Sequence, residues 1–310
     1  MPPQKAMNEQ EREKALKRIL ATDKVDLTKT LLGASMGVAA LFIFMAIVDN
    51  MGSLKLPLDP IDWIIFAIAA IIGPYGFYAT TREKRVREIE TRLPDFLRDV
   101  AEAGRFGMTL ANAIVVASSG RYGRLTPEIT RMAAQIEWGV PASEAIRLFS
   151  ERVKTPLVTR MASIIMKAND AGGNVADVLS MVSHDAKDTI LTQEERGVTM
   201  QTYVLVVYIA FFVFIATILI LQGQFLPKME QAGKQVSEQA EKQGLGEIPG
   251  VSIQVDIIPT VSFIFLLSVV VHAIGDGLLA GVIANGSIPI GMRHSFIMLI
   301  AGFVSLRVIG

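Results

Sequence analysis

The sequence predicts an all-α polytopic membrane protein: about five transmembrane helices, with a cytoplasmic antiparallel helical bundle inserted between the second and the third. Three observations predict this. Hydrophobic residues make up 51% of the 310 positions and the mean hydropathy is +0.43; the apolar residues gather in runs long enough to need a non-aqueous solvent. A polar block from about Arg82 to Arg196 splits those runs. Within the block, apolar residues recur at helical spacing and glycine or proline punctuates them repeatedly.

The elements follow in order. Residues 1–29 form a cytoplasmic N-terminal segment, in which NEQEREKALKRIL at 8–20 predicts an amphipathic interfacial helix with Leu16, Ile19 and Leu20 on one side. Two transmembrane helices occupy 30–79. The first, at about 30–48, has no small-residue cleavage site and reads as a span rather than a removable signal. A loop with Pro57 and Pro60 leads to the second at about 61–79, where Gly73-Pro74 predicts a kink. The bundle takes 80–199, and the third span, within 200–222, is the apolar run at 203–221. The polar stretch 223–256 reads as an extracytoplasmic loop. Two further spans fill 257–310: one from Ile257 to about Ala284, with Pro259 in its first turn and interruptions at Gly275, Gly277 and Gly281, and one at about 295–309. The stretch NGSIPIGMRH between them reads as a turn.

Inside the block about six short helices are expected. Breaks fall before Pro94, around Gly104–Gly107, at Ser118–Thr126, at Gly139–Pro141, before Pro156 and at Gly172–Gly173. Connections this short favour antiparallel neighbours. Thr155 is a good N-cap with Pro156 in the first turn, and Val158, Met161, Ile164, Ile165 and Ala168 form a stripe. Asn174 caps the next helix, striped by Val175, Val178, Leu179 and Val182. The segments TPEITRMA from Thr126 and TPLVTRMA from Thr155 echo each other, which predicts two equivalent helical hairpins.

Lys and Arg placement predicts orientation. The N-terminal segment carries Lys5, Arg12, Lys14, Lys17, Arg18, Lys24 and Lys29; the block opens with Arg82, Lys84, Arg85 and Arg87; the last turn has Arg293. The 49–61 loop has only Lys55, and 222–256 has three lysines against five acids. The positive-inside rule puts the N-terminus, the block and the last turn in the cytoplasm and the C-terminus outside, so the protein is expected to be multi-pass in the cell membrane.

Little in the sequence points to catalysis. Net charge is zero, which argues against nucleic acid as the main partner. There is no cysteine, hence no disulfide, thiolate metal site or thiol nucleophile. No GxxxxGK[ST] loop occurs, and the paired glycines read as helix caps. No catalytic residue, cofactor or metal is assigned. His184 with Asp188 reads as a solvated helix face rather than two metal ligands. His272 and Asp276 at i,i+4 in the fourth span are the best site-like feature, because ionisable groups in a membrane are functional candidates; they support an alternative reading as a transporter or proton relay. His294 beside Arg293 reads as an interfacial anchor. Gly275-Asp276-Gly277 is similar to the GxGD motif of intramembrane aspartyl proteases, but Ala273 stands where the motif has glycine, and Asp62 and Asp256 lie at the opposite edge of the bilayer. The basic run Arg82–Arg87 suits anionic membrane lipid.

The order LPDFLRDVAEAGRFGMTLANAI, GVPASEAIRLF and IIMKANDAGGNVADVLSMVSHDAKD, running into an apolar span, resembles the type II secretion system F domain family over about 92–221. GDGLLAGVIANGSIPIGMRHSFIML resembles the C-terminal region of archaeal members, including archaellum platform proteins. Many bacterial members carry a Gly-Glu-x-Gly turn where this chain has Asn169-Asp170-Ala171-Gly172-Gly173, which favours the Tad-like or archaeal branch. The resemblance implies a non-enzymatic platform for a type IV-like filament or secretion machine. Its implied partners are a cytosolic hexameric ATPase, pilin-like subunits, and a second copy or paralogous platform protein. Charged residues of the bundle would then dock the ATPase, with Arg98, Glu102, Arg121, Arg124 and Arg131 as candidates.

Overall fold

The computed structural model describes residues 27–51, 59–242 and 258–308. The expected helix at 8–20, Pro57 and Asp256 lie outside the described residues. Ten α-helices are present among those described, with no strand: α1 (Leu27–Asn50), α2 (Pro60–Arg105), α3 (Leu110–Ala117), α4 (Thr126–Glu137), α5 (Ala142–Val153), α6 (Pro156–Asp170), α7 (Val175–Ile220), α8 (Leu226–Lys242), α9 (Ile258–Asn285) and α10 (Ile288–Val308). Five stretches are long and apolar enough to cross a membrane: α1, the first part of α2, the last part of α7, α9 and α10. The protein is thus all-α and multi-pass. Contacts divide it into two compact units, one of residues 82–196 and one of 26–81 with 197–310.

The first unit is built like a water-soluble bundle. Apolar faces of six helical segments converge on Leu93, Phe96, Leu97, Val100, Ile114, Leu125, Ile129, Met132, Phe149, Val158, Met161 and Leu179. Each such burial contributes about 1.5–3 kcal/mol relative to exposure. Turns end where glycine permits a left-handed residue: Gly107 (φ 83°), Gly139 (φ 90°) and Gly172 (φ 68°). Thr155 caps α6, its side chain accepting from the Val158 amide.

Several expectations are corrected here. The helix does not break before Pro94. α2 runs through it, because Leu93, Phe96 and Leu97 on either side are core residues whose burial outweighs the roughly 3 kcal/mol an interior proline costs. Ser183 Oγ donates to the Pro94 carbonyl at 2.9 Å and ties α7 to α2 there. Ile164 is exposed rather than part of the α6 stripe; Leu157 and Ala162 are buried instead. The two Thr-Pro starts are not equivalent. Thr155 is an extended N-cap, whereas Thr126 is already helical behind a 3₁₀ turn (Gly123–Leu125), and its hydroxyl accepts from the Tyr122 amide at 2.8 Å.

The second unit packs α2, α7, α9 and α10 around Ile65, Ala69, Phe211, Ile215, Ala273, Met298, Leu299 and Phe303. Phe42 of α1 lies against Trp63 and Phe66, with ring centroids 6.0 Å apart in each case. α9 is not broken at its glycines. A Cβ on Gly277 would strike the backbone of Ser295, and one on Gly281 the backbone of Gly291, so these glycines let α9 and α10 approach closely instead of ending the helix. The expected turn over NGSIPIGMRH shrinks to Gly286-Ser287, because Pro289 fits the first turn of α10. The polar stretch after the third span is not all loop: a π turn (Leu221–Phe225) leads into α8.

Candidate docking surface

The bundle's most distinctive polar feature is a ridge along α2. Positions 88, 92, 95 and 99 lie on one face of the helix, and the loop after α3 runs back along that face. Arg124 pairs with Glu88, a Cβ on Gly123 would lie 4.0 Å from Arg92 Cγ, and Tyr122 Oη donates to Asp99 at 2.6 Å. Tyr122 is buried, 3.0 Å from the Ala117 carbonyl and edge-on to Phe96. Burial, and next the bond to Asp99, push its hydroxyl well above the ordinary tyrosine range. Gly123 needs its positive φ of 57° to make this turn.

The same ridge carries Arg98, 3.9 Å from each of Asp95, Asp99 and Glu102. Arg121 is exposed and precedes the anchored Tyr122. Four of the five candidate docking residues, Arg98, Glu102, Arg121 and Arg124, therefore belong to one region held by the Tyr122 anchor. Arg131 differs. It is half-buried on α4, close enough to Arg152 to disfavour that residue's charge. The ridge alternates in sign, and its exposed ion pairs are each worth at most about 1 kcal/mol, so a partner can replace them at little cost.

Elsewhere in the bundle, α4 and α5 share a buried pair that the sequence did not reveal. Arg152 is 5% exposed, and its Nε donates to Glu128 at 3.0 Å. Burial pulls Arg152 below the usual guanidinium range, and the bond to Glu128 opposes that pull. The pair joins α4 to α5 across 24 positions, a separation that no local motif signals.

In the span unit, His272 Nδ1 lies 3.5 Å from Asp276 Oδ2, and its ring sits 4.3 Å from that of Phe214. His272 is exposed and Asp276 half-buried, and Ser295 Oγ donates at 2.9 Å to the carbonyl of Ile274, which lies between them in α9. His294 is buried, with Nδ1 2.8 Å from the Tyr208 hydroxyl and Nε2 3.3 Å from Arg293. Asp62 is fully buried and paired with Arg307, which also reaches Asp59 at 2.5 Å. His184 is exposed, and among the described residues no group of three or more His, Cys, Asp or Glu could hold a metal.

Comparison with known proteins bears on residues that include the ridge and the bundle core. An uncharacterized protein of Methanocaldococcus jannaschii is 28% identical over 246 residues, 79% of this chain and 38% of that protein. The flagella accessory protein J of the same organism is 24% identical over 134 residues, 43% of this chain and 24% of that protein. The matches thus take in well under half the length of these curated relatives. No solved structure matches. The model of the family described as type II secretion system protein F matches residues 96–223, from inside α2 through the bundle and the third span. Residues 96–223 are accordingly similar to the type II secretion system protein F family, in a chain with five helices long and apolar enough to cross a membrane.

Proposed function

We propose that this protein is a non-enzymatic platform of a type IV-like filament or secretion machine, coupling a cytosolic ATPase to the assembly of pilin-like subunits. The observation that carries the reading is the protein F match over 96–223, which joins the bundle to the membrane span that follows it. The likeness to a flagella accessory protein fits the same class of machine. In this reading the bundle and the last turn face the cytoplasm, in keeping with the basic residues at Arg82–Arg87 and Arg293. The α2 ridge is the docking face, with Arg98, Glu102, Arg121 and Arg124 as contacts and Arg131 as a supporting residue. The chain itself carries out no chemistry.

The test is purification from the native membrane in mild detergent, with co-purifying proteins identified by mass. A secretion ATPase should be recovered with the wild-type chain and lost with Arg98→Glu/Arg121→Glu. Absence of an ATPase from the folded wild-type protein would overturn the reading.

A further inference from the structure

The N-terminal end of the same ridge differs from the rest of it in charge. A groove of about 490 Å³ is lined by Lys84, Arg87, Glu88, Thr91, Arg92, Gly123 and Arg124. Four of its side chains are cations and one is an acid. The Thr91 hydroxyl is turned inward to its own helix, donating to the Arg87 carbonyl at 2.8 Å. Three of the cations hold exposed carboxylates: Arg124 pairs with Glu88, Arg87 lies 3.9 Å from Glu194, and Arg92 3.5 Å from Asp95. Such exposed pairs are weak and exchangeable. A phosphate in the groove would meet four cations, three of which hold contacts that cost little to give up.

Position along α2 says where such a phosphate would come from. Twenty residues from Ile61 span about 30 Å, the thickness of a hydrocarbon core, and end at Thr80. Lys84 and Arg87 follow about 6 and 10 Å further along the same helix. The headgroup layer is only about 5–7 Å deep on each side. The lysine and arginine stems span that difference, keeping their aliphatic part along the helix and their charge at the headgroups.

We propose that this groove binds the phosphate of an anionic phospholipid from the membrane that the protein spans. Lys84 and Arg87 take the headgroup, and Arg92 and Arg124 close the inner end. The idea does not rest on a partner ATPase.

The test is native mass spectrometry of the full chain in mild detergent, with phosphatidylglycerol and phosphatidylcholine of matched acyl chains. Phosphatidylglycerol should be retained preferentially. Lys84→Gln/Arg87→Gln/Arg124→Gln should lower its retention by more than about tenfold, since each cation near a headgroup is worth roughly fivefold. The charge-keeping variant Lys84→Arg/Arg87→Lys/Arg124→Lys should retain it, as should Arg82→Gln/Arg85→Gln, which leaves the groove intact. If the triple variant does not fold, the single Lys84→Gln should still give a several-fold loss. Equal retention of both lipids, or a loss as large in Arg82→Gln/Arg85→Gln, would overturn the proposal. So would full displacement of the lipid by inorganic phosphate alone, which would mark a site for a soluble anion.

Discussion

The bundle and the span unit are packed by opposite rules. In the bundle, large side chains fill the interior and charges cover the outside: Ile129, Met132 and Met161 are at most 1% exposed, while Arg98 and Glu102 face solvent. In the span unit Phe211, Met298 and Leu299 are buried too, but many large side chains point outward, as Phe44, Val213 and Val271 do, and α9 meets α10 at the small residues Gly277, Gly281, Ala273, Ala280 and Ser295. Water explains the first arrangement, because burying apolar area is what stabilises it. In lipid that driving force between helices is absent, and close backbone approach with good van der Waals packing replaces it. One chain therefore uses glycine as a terminator in one unit and as a contact surface in the other. Gly172 ends α6, whereas Gly281 sits inside α9.

Three substitutions test this contrast. The largest effect is expected from Gly281→Leu, which drives a side chain into the α10 backbone at Gly291. Overpacking a site with no room to relax should cost more than about 3 kcal/mol, seen as loss of the folded, monodisperse protein in detergent. Normal thermal stability of that variant would refute the close-approach account. Ile129→Ala should follow at about 2–5 kcal/mol, the range for emptying a well-packed core site. Its melting curve should shift while the protein remains extractable.

Tyr122→Phe is the mildest, at about 1–2 kcal/mol, since it leaves the Asp99 carboxylate without its donor. Its pH dependence has a definite sign. The folded-state value of Tyr122 is raised above the ordinary 10.0, so its contribution is full below pH 10 and is lost as pH rises beyond that. Wild type should therefore lose stability in alkali more steeply than the variant, and removing Tyr122 should leave the tyrosine absorbance change near pH 10 unaltered. Identical alkaline curves would show that the anchor is not formed.

The helices were legible wherever periodicity or length is decisive. The five spans need only enough apolar residues, and the α6–α7 turn needs only Gly172-Gly173 after a striped helix. What misled was punctuation. Pro94, Gly277 and Gly281 read locally as breaks, yet each lies inside a helix, because contacts from elsewhere in the chain outweigh the local preference. The ridge was half legible: charges at Arg98 and Glu102 announce an exposed face, but only Tyr122 brings the Arg121–Arg124 loop onto it, and an isolated tyrosine gives no sign of its partner. Arg152 with Glu128, and His294 with Tyr208, were illegible for the same reason. Their polar groups are buried only because distant residues complete them.

The clasp between Asp62 and Arg307 joins residues 245 positions apart, with Asp62 fully buried in the first turn of α2. A ribosome delivers the acid long before it delivers the base. Throughout most of synthesis the second span must rest in the membrane with its carboxylate still hydrated or otherwise occupied, and it can bury that group fully only once α10 arrives. The order in which spans are inserted is therefore not the order in which they are finished.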